Sequence, residues 1–296
     1  MADHVHETKM DGSAVNTWSR KSIRHRTWMA FVYTVLILGG IIIMIPLYWT
    51  LSTAVKELDQ ALAFPPIWIP NPIVLGNFVE ALKAMDFLNQ LKNTGIITFF
   101  GILGQLISSS LAAYGFARFR FPGRHVLFII ALSTMMLPFH VTIIPRFIMF
   151  QKLGWLDTFL PLIVPSLFAD ALYLFLMRQF IMTIPVEMDE AARIDGCSFF
   201  QTFYRIILPM SKPALGIVAV FTFLSRWKDF MGPLIYISSQ RNYTLALGLN
   251  ALRHDFFVEW NLLMAATTIV MLPPVIIFFL AQRHFIQGVV VTGLKG

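Results

Sequence analysis

The chain has little charge and only one cysteine. Asp, Glu, Lys and Arg make up 13% of its 296 residues, against about 25% in an average soluble domain, while AVILMFWYC make up 57% against roughly 45–50%. That balance excludes a water-soluble globule. The lone Cys197 excludes an intramolecular disulfide and a cysteine-based zinc cluster. There is no G-x-x-x-x-G-K-[ST] and no G-x-G-x-x-G, so nothing in the chain is built to cradle a nucleotide phosphate. There is also no H-E-x-x-H, no G-x-S-x-G and no pair of catalytic acids at useful spacing, so no catalytic residue, metal site or cofactor is assigned and an intramembrane enzyme is disfavoured. No cleavable signal is expected either: the first apolar run is longer than a usual signal core, follows a polar tail of nearly thirty residues and lacks a persuasive small-residue cleavage site. With 28 Phe, 15 Met and ordinary Gly and Pro counts, disorder and collagen-like structure are also excluded.

What is present is a set of long uncharged stretches separated by clustered charge. Phe31 to Val55 and Asn93 to Ala117 carry no charge, and each exceeds the ~20 residues that cross a ~30 Å hydrocarbon core. Extended to the other stretches, this predicts an all-α integral membrane protein with six spans, at about 29–52, 93–116, 126–149, 158–179, 212–237 and 261–282. They lie within a membrane unit over 28–284, between tails at 1–27 and 285–296. The third span is interrupted only by His140, the fourth carries Asp170, and the fifth is broken by Arg226-Trp227-Lys228-Asp229. Pro273-Pro274 should bend the last. Six spans place both termini on one side. That side holds 14 of the 23 Lys and Arg, so both termini are predicted cytoplasmic, and the net charge of +7 reads as cytoplasmic base rather than nucleic-acid binding.

The longest outer loop, Lys56 to Lys92, contains Phe64-Pro65-Pro66-Ile67-Trp68-Ile69-Pro70-Asn71-Pro72. Its prolines oppose regular helix, and Trp68 suits a membrane interface, so a compact surface-lying loop is expected. On span two, Gly104, Ser108 and Ala112 recur at four-residue spacing and permit close approach of another helix, either within the bundle or from a second subunit. The Met and Phe side chains fill the bundle core and the lipid-facing surface.

The loop over 185–209 is patterned. Acidic residues after Pro185 favour a helix start, and Gly196 can supply a left-handed stop. Ser198 with Gln201 fits a capping box for a second helix, which should end near Leu208 because Pro209 follows. A helix, a turn and a helix would then protrude, exposing Ala191, Ala192, Ile194 and Phe199. Such a knob fits either a groove on another protein or the headgroup layer. Cys197 is read as a small residue after the turn.

Glu190-Ala191-Ala192, three residues, Gly196, nine residues, Ile206, one residue and Leu208-Pro209 match without a gap the EAA loop of permease subunits in bacterial ABC importers. Ala112 to Arg118, Arg120-Phe121-Pro122-Gly123, Leu176 to Phe180, Leu208 to Ala214 and Gly293-Leu294-Lys295-Gly296 resemble the maltose-transporter branch, which takes up carbohydrates. The resemblance runs from about Met29 to Gly296. It implies a type I ABC importer permease fold in the bacterial inner membrane and a sugar or oligosaccharide cargo. The implied partners are a homologous second permease, a dimer of ATP-binding subunits and an extracytoplasmic solute-binding protein. It also assigns Glu190, Ala191, Ala192, Asp195 and Gly196 to ATPase coupling. The rival is a proton- or sodium-coupled secondary carrier with Asp170 and His140 as relay, which leaves the knob unexplained.

For the cargo, a rise of ~1.5 Å per residue puts Asp170 near the midplane and His140 and Lys228 toward the outer third. With Asp229, and with Trp227 as a flat face for a sugar ring, they form the expected cavity. Each has a plainer alternative. Asp170 can pair with the partner permease, His140 can be a packing residue, and Lys228 and Arg226 can snorkel or pair with Asp229. Family members often read Trp-Asn-Asp-Phe where this chain has Trp227-Lys228-Asp229-Phe230, with Gln at the position of His140 and Trp at that of Gly232. These departures predict a wider, more positive cavity and a larger or anionic carbohydrate.

Overall fold

In hydrocarbon every backbone N–H and C=O must be satisfied internally, so uncharged apolar runs become helices. The computed structural model of the chain describes residues 12–253 and 258–293, with side chains described from residue 25 to residue 282. Its helices are α1 Gly12–Ala54, α2 Leu58–Leu62, α3 Gly76–Ala84, α4 Phe87–Arg118, α5 Arg124–Ser133, α6 Phe139–Lys152, α7 Leu160–Ile163 and α8 Ala171–Thr183. They continue as α9 Glu187–Ile194, α10 Phe199–Thr202, α11 Leu208–Met210, α12 Lys212–Trp227, α13 Met231–Tyr236, α14 Leu245–Ala251 and α15 Trp260–Gly293. Among the described residues the only β pairing is an isolated Arg253–Val258 bridge.

Four stretches are long and apolar enough to cross a membrane: His25–Ala54, Phe87–Arg118, Leu160–Thr183 and Trp260–Gln282. Two bent pairs, Arg124–Met136 with Phe139–Lys152 and Phe199–Met210 with Lys212–Trp227, bring the number to six when each is counted as one span. The tail expected over 1–27 lies outside the described residues as far as residue 11, and from Gly12 it is helix continuous with α1. Leu294-Lys295-Gly296 lie outside the described residues, while α15 reaches Gly293.

Several spans are less regular than expected, and proline accounts for most of the difference. The third turns by 100° between its halves. The break is at Leu137-Pro138, ahead of His140, because the residue before proline is pushed from helical to extended backbone; Leu137 has φ −80° and ψ 111°. The fourth passes from α7 through a 3-10 turn over Val164–Leu167 to an extended Phe168 before α8 begins. Pro161 and Pro165, each lacking an N–H, sit in the interrupted part. The fifth stops at Trp227 and resumes at Met231. Pro273 and Pro274 lie inside α15 and do not break it.

α4 is the central element, packed against α8 and α12, while α1 packs against α15. The small-residue stripe works inside the chain. A Cβ on Gly104 would come within 3.1 Å of Leu167 and 3.3 Å of the Ser166 backbone, and the Ser108 hydroxyl donates to Ser166 O at 3.0 Å. By contrast α1 presents Leu36, Ile37, Ile42 and Ile43 outward, as expected of a helix bathed in lipid. The proline-rich loop folds back on the end of α1. Ser52 Oγ and Tyr48 OH donate to Trp68 O at 2.7 and 3.0 Å, and the Phe64–Pro65 and Asn71–Pro72 bonds are cis. Beneath it Lys56 is fully buried with its ammonium 4.0 Å from the Trp49 ring, and burial pushes the amine below its ordinary range.

Candidate functional site

The loop between α8 and α12 is a rigid knob, locked by local chemistry. Glu187, Asp189 and Glu190 occupy the first turn of α9 and Arg193 the last, the polarity that the helix dipole favours. Its end is a Schellman turn: Gly196 is left-handed at φ +81°, Gly196 N donates to Arg193 O at 3.0 Å and Cys197 N to Ala192 O at 2.9 Å. Ser198 and Gln201 then form a reciprocal capping box. The second helix does not stop at Leu208. A π-turn over Phe203–Ile207 widens the backbone ahead of Pro209 and carries it through to Met210. The extra residue in the turn accommodates a ring that would otherwise strike the carbonyl four residues back.

The knob is clasped to α4. Asp189 and Arg118 form an ion pair at 2.9 Å with side chains only 4% and 9% exposed, and Arg118 Nη2 also donates to Ile184 O at 2.8 Å. Phe119 meets Phe199 edge-on at 5.1 Å, with the Arg193 guanidinium 4.4 Å from the Phe199 ring. Asp189 and Ala192, three apart, share the inward face. Ala192, expected to be exposed, is therefore buried. Glu190, Ala191, Asp195 and Gly196 are exposed, and Ile194 is 88% exposed. Beside α9 lies a cavity of about 760 Å³ lined by Arg118, Arg120, Arg124 and Arg193 together with Asp189 and Glu190. The clasp is not legible in the sequence: Arg118 closes the Ala112 to Arg118 motif and Asp189 lies in the loop over 185–209, but their pairing is tertiary.

In the bundle a second polar cluster forms, with a membership different from the one expected. Arg226 turns inward and donates to Ser166 Oγ at 2.7 Å. Asp229, Tyr173 and Asp170 are close enough to act on it electrostatically. Asp170 caps α8, accepting from Leu172 N at 2.9 Å, and Asp229 accepts from Gly232 N at 3.0 Å at the start of α13. Trp227 is not an open face for a sugar. It is buried, its Nε1 donates to Val270 O at 3.0 Å, and its ring stacks on Phe223. His140, on the far side of the third-span break, is exposed with its ring against Phe139, and Lys228 is exposed at the end of α12. Among the described residues no hydrogen bond or ion pair joins either to the cluster. Gly232 does not widen the space: a Cβ there would meet Asp229 Oδ2 at 2.6 Å and Leu162 at 2.9 Å.

At the bundle end away from the knob, Asp157 ties the loop before α7 to the loop after α13. Its carboxylate accepts from Ser239 Oγ, from Ser239 N at 2.9 Å and from Ser238 N at 3.1 Å. These bonds, the Ser239 hydroxyl foremost, hold it well below the usual carboxylate range. A depressed folded-state pKa contributes stability above the unfolded value of about 4 and loses it as pH falls below that value. The Tm difference between wild type and Asp157→Asn is therefore expected to be constant from about pH 5 upward and to shrink below about pH 4. A difference that stayed constant through that acid range would contradict the assignment.

Residues 104–291 match the family model described as "Binding-protein-dependent transport system inner membrane component". A probable ABC transporter permease protein of Pyrococcus horikoshii is 35% identical over 85% of this chain and 92% of its own length. The sn-glycerol-3-phosphate transport system permease protein UgpE of Escherichia coli O1:K1 / APEC is 35% identical over 90% of this chain and 98% of its own. The probable ABC transporter permease protein YurM of Bacillus subtilis is 32% identical over 90% and 88%. Among solved structures, a chain of a bacterial ABC transporter involved in the import of the acidic polysaccharide alginate shares the fold. It has a TM-score of 0.79 at 21% identity, with 88% of this chain and 97% of that one covered.

Proposed function

Because the chain belongs to the family of binding-protein-dependent transport system inner membrane components, we propose that it is one permease subunit of an ATP-driven importer. Its cargo is a sugar or oligosaccharide, a reading supported by the polysaccharide that the alginate transporter imports and by the polyol phosphate named for UgpE. Its partners are a homologous permease, two ATP-binding subunits and an external solute-binding protein. The knob and both termini face the cytoplasm. The observation that carries this reading is the knob itself, an exposed Glu190, Ala191, Ile194 and Asp195 face on a helix stopped by Gly196 and clasped through Asp189 to Arg118.

Seated in a cleft of an ATP-binding subunit, that face would follow closure of the ATPase dimer. A flexible loop would absorb the movement. This knob passes it to α4 through the ion pair, and to α8 and α12 through the backbone, tilting them between inward- and outward-open arrangements. ATP and cargo each shift that equilibrium only by their differential affinity for the two states. A proton relay from Asp170 to His140 has no support here, since Asp170 caps a helix and His140 stands apart. Purifying the tagged chain from its membrane tests the reading. An ATPase and a second permease are expected to co-elute, and uptake should require ATP. Uptake that persisted without the ATPase and collapsed with the proton gradient would overturn it.

A further inference from the structure

The cavity beside α9 holds more positive charge than its walls balance. Arg118, Arg120, Arg124 and Arg193 line it against Asp189 and Glu190, and Asp189 is spent on Arg118 in the one ion pair among the described residues. Arg124 donates only to a neutral carbonyl, Phe119 O at 3.1 Å, and Arg193 rests on the Phe199 ring. Arg120 is exposed, and no described hydrogen bond or ion pair holds it. Arg124 is also close enough to act electrostatically on Arg178, a nearly buried guanidinium set against Phe116 O and the Phe128 ring, on which no described carboxylate acts. Cation therefore faces cation at this end of the bundle.

Arg118 ends α4 and Arg124 begins α5, so the cavity opens where two spans leave the hydrocarbon, at the depth of lipid phosphates. Just beyond Arg124, Val126, Leu127 and Ile130 are exposed on α5, and Phe121 is exposed in the loop before it, an apolar surface suited to acyl chains. From the knob the cavity takes Val186, Asp189, Glu190 and Arg193, whose three- and four-residue spacing is one helix face. Ala191, Ile194 and Asp195 do not line it, so a protein seated on that outer face need not fill it. A phosphodiester accepts guanidinium bonds side by side and supplies counter-charge, and about 760 Å³ is ample for one headgroup. We propose that this cavity binds the headgroup of an anionic phospholipid, with Arg120 and Arg124 on its phosphate and the acyl chains along α5. The bound lipid braces the α4–α5 loop against the face of α9 that Asp189 and Arg118 already hold. The site goes beyond the transporter reading, which gives the cavity no occupant, and is independent of the cargo.

The test is native mass spectrometry of the detergent-purified complex, titrated with phosphatidylglycerol or with phosphatidylcholine carrying the same acyl chains. Preferential retention of phosphatidylglycerol is expected. Arg120→Gln should weaken that retention ~5-fold, the loss that goes with one arginine at an anionic headgroup, and Arg120→Lys should restore most of it. Lys152→Gln, the same charge change at the other end of the third span, should leave it unaltered. Equal retention of the two lipids, no weakening in Arg120→Gln, or the same weakening in Lys152→Gln overturns the inference. So does displacement of the lipid by equimolar inorganic phosphate, which would mark a site for free anions, or retention only after the ATP-binding subunits are stripped away, which would make the cavity part of their seat. Failure of the transporter reading looks different: no ATPase co-purifies, and the lipid preference is then read on the chain alone.

Discussion

Asp189→Ala is expected to abolish ATP-driven import, because it strands Arg118 as a buried guanidinium. Removing one member of a buried pair costs roughly 3–5 kcal/mol, mostly as the penalty of the charge left behind, and both side chains here are more than nine-tenths buried. A drop of only ~1.4 kcal/mol in the stability of the clasped knob cuts its seated population ~10-fold. Arg118→Ala should be as severe, since it also withdraws the bond to Ile184 O. The double change Arg118→Met with Asp189→Leu separates two effects. It removes both charges, so thermal stability should recover toward wild type. ATP consumed per molecule imported should nevertheless stay high, because the directional tie between α9 and α4 is gone. Full recovery of that ratio in the double variant would show that the pair contributes only to stability.

Gly196→Pro is expected to have the next largest effect. The position needs φ +81°, whereas proline fixes φ near −65° and has no N–H to donate to Arg193 O. The Schellman turn cannot form, and α9 loses its fixed angle to α10. Loss of ~3 kcal/mol or more is expected. Gly196→Ala should cost ~1–2 kcal/mol and Gly196→Asn less, since asparagine tolerates the left-handed region. Import at matched expression should therefore fall in the order Gly, Asn, Ala, Pro. A flat series would mean that the turn does not hold the knob.

The knob was legible in the sequence because its devices are local. A left-handed glycine, a Ser-x-x-Gln box and an acidic first turn act over three or four residues. The membrane class was legible from charge-free length. Contacts between distant residues were not. Arg118 ends α4 and Asp189 lies in the first turn of α9, and neither residue type names its partner. Periodicity also failed at Arg226 and Trp227. Adjacent residues on a helix face about 100° apart, and here both turn into the bundle. From sequence the indole faces the cargo and the guanidinium goes to the headgroups or to Asp229, whereas the Val270 carbonyl holds the indole in the core and Ser166 takes the guanidinium. The break at Pro138 was written in the chain, but the uncharged run hid it. At Gly232 only the neighbours Asp229 and Leu162 reveal that the missing side chain leaves no space.

The most direct measurement is photo-cross-linking from a photoreactive residue at Ile194, which is 88% exposed on α9, in the assembled, transporting complex. The account predicts a covalent adduct to an ATP-binding subunit whose yield changes when nucleotide is added. Adducts to lipid alone, from a complex that still imports its cargo on ATP, would contradict it.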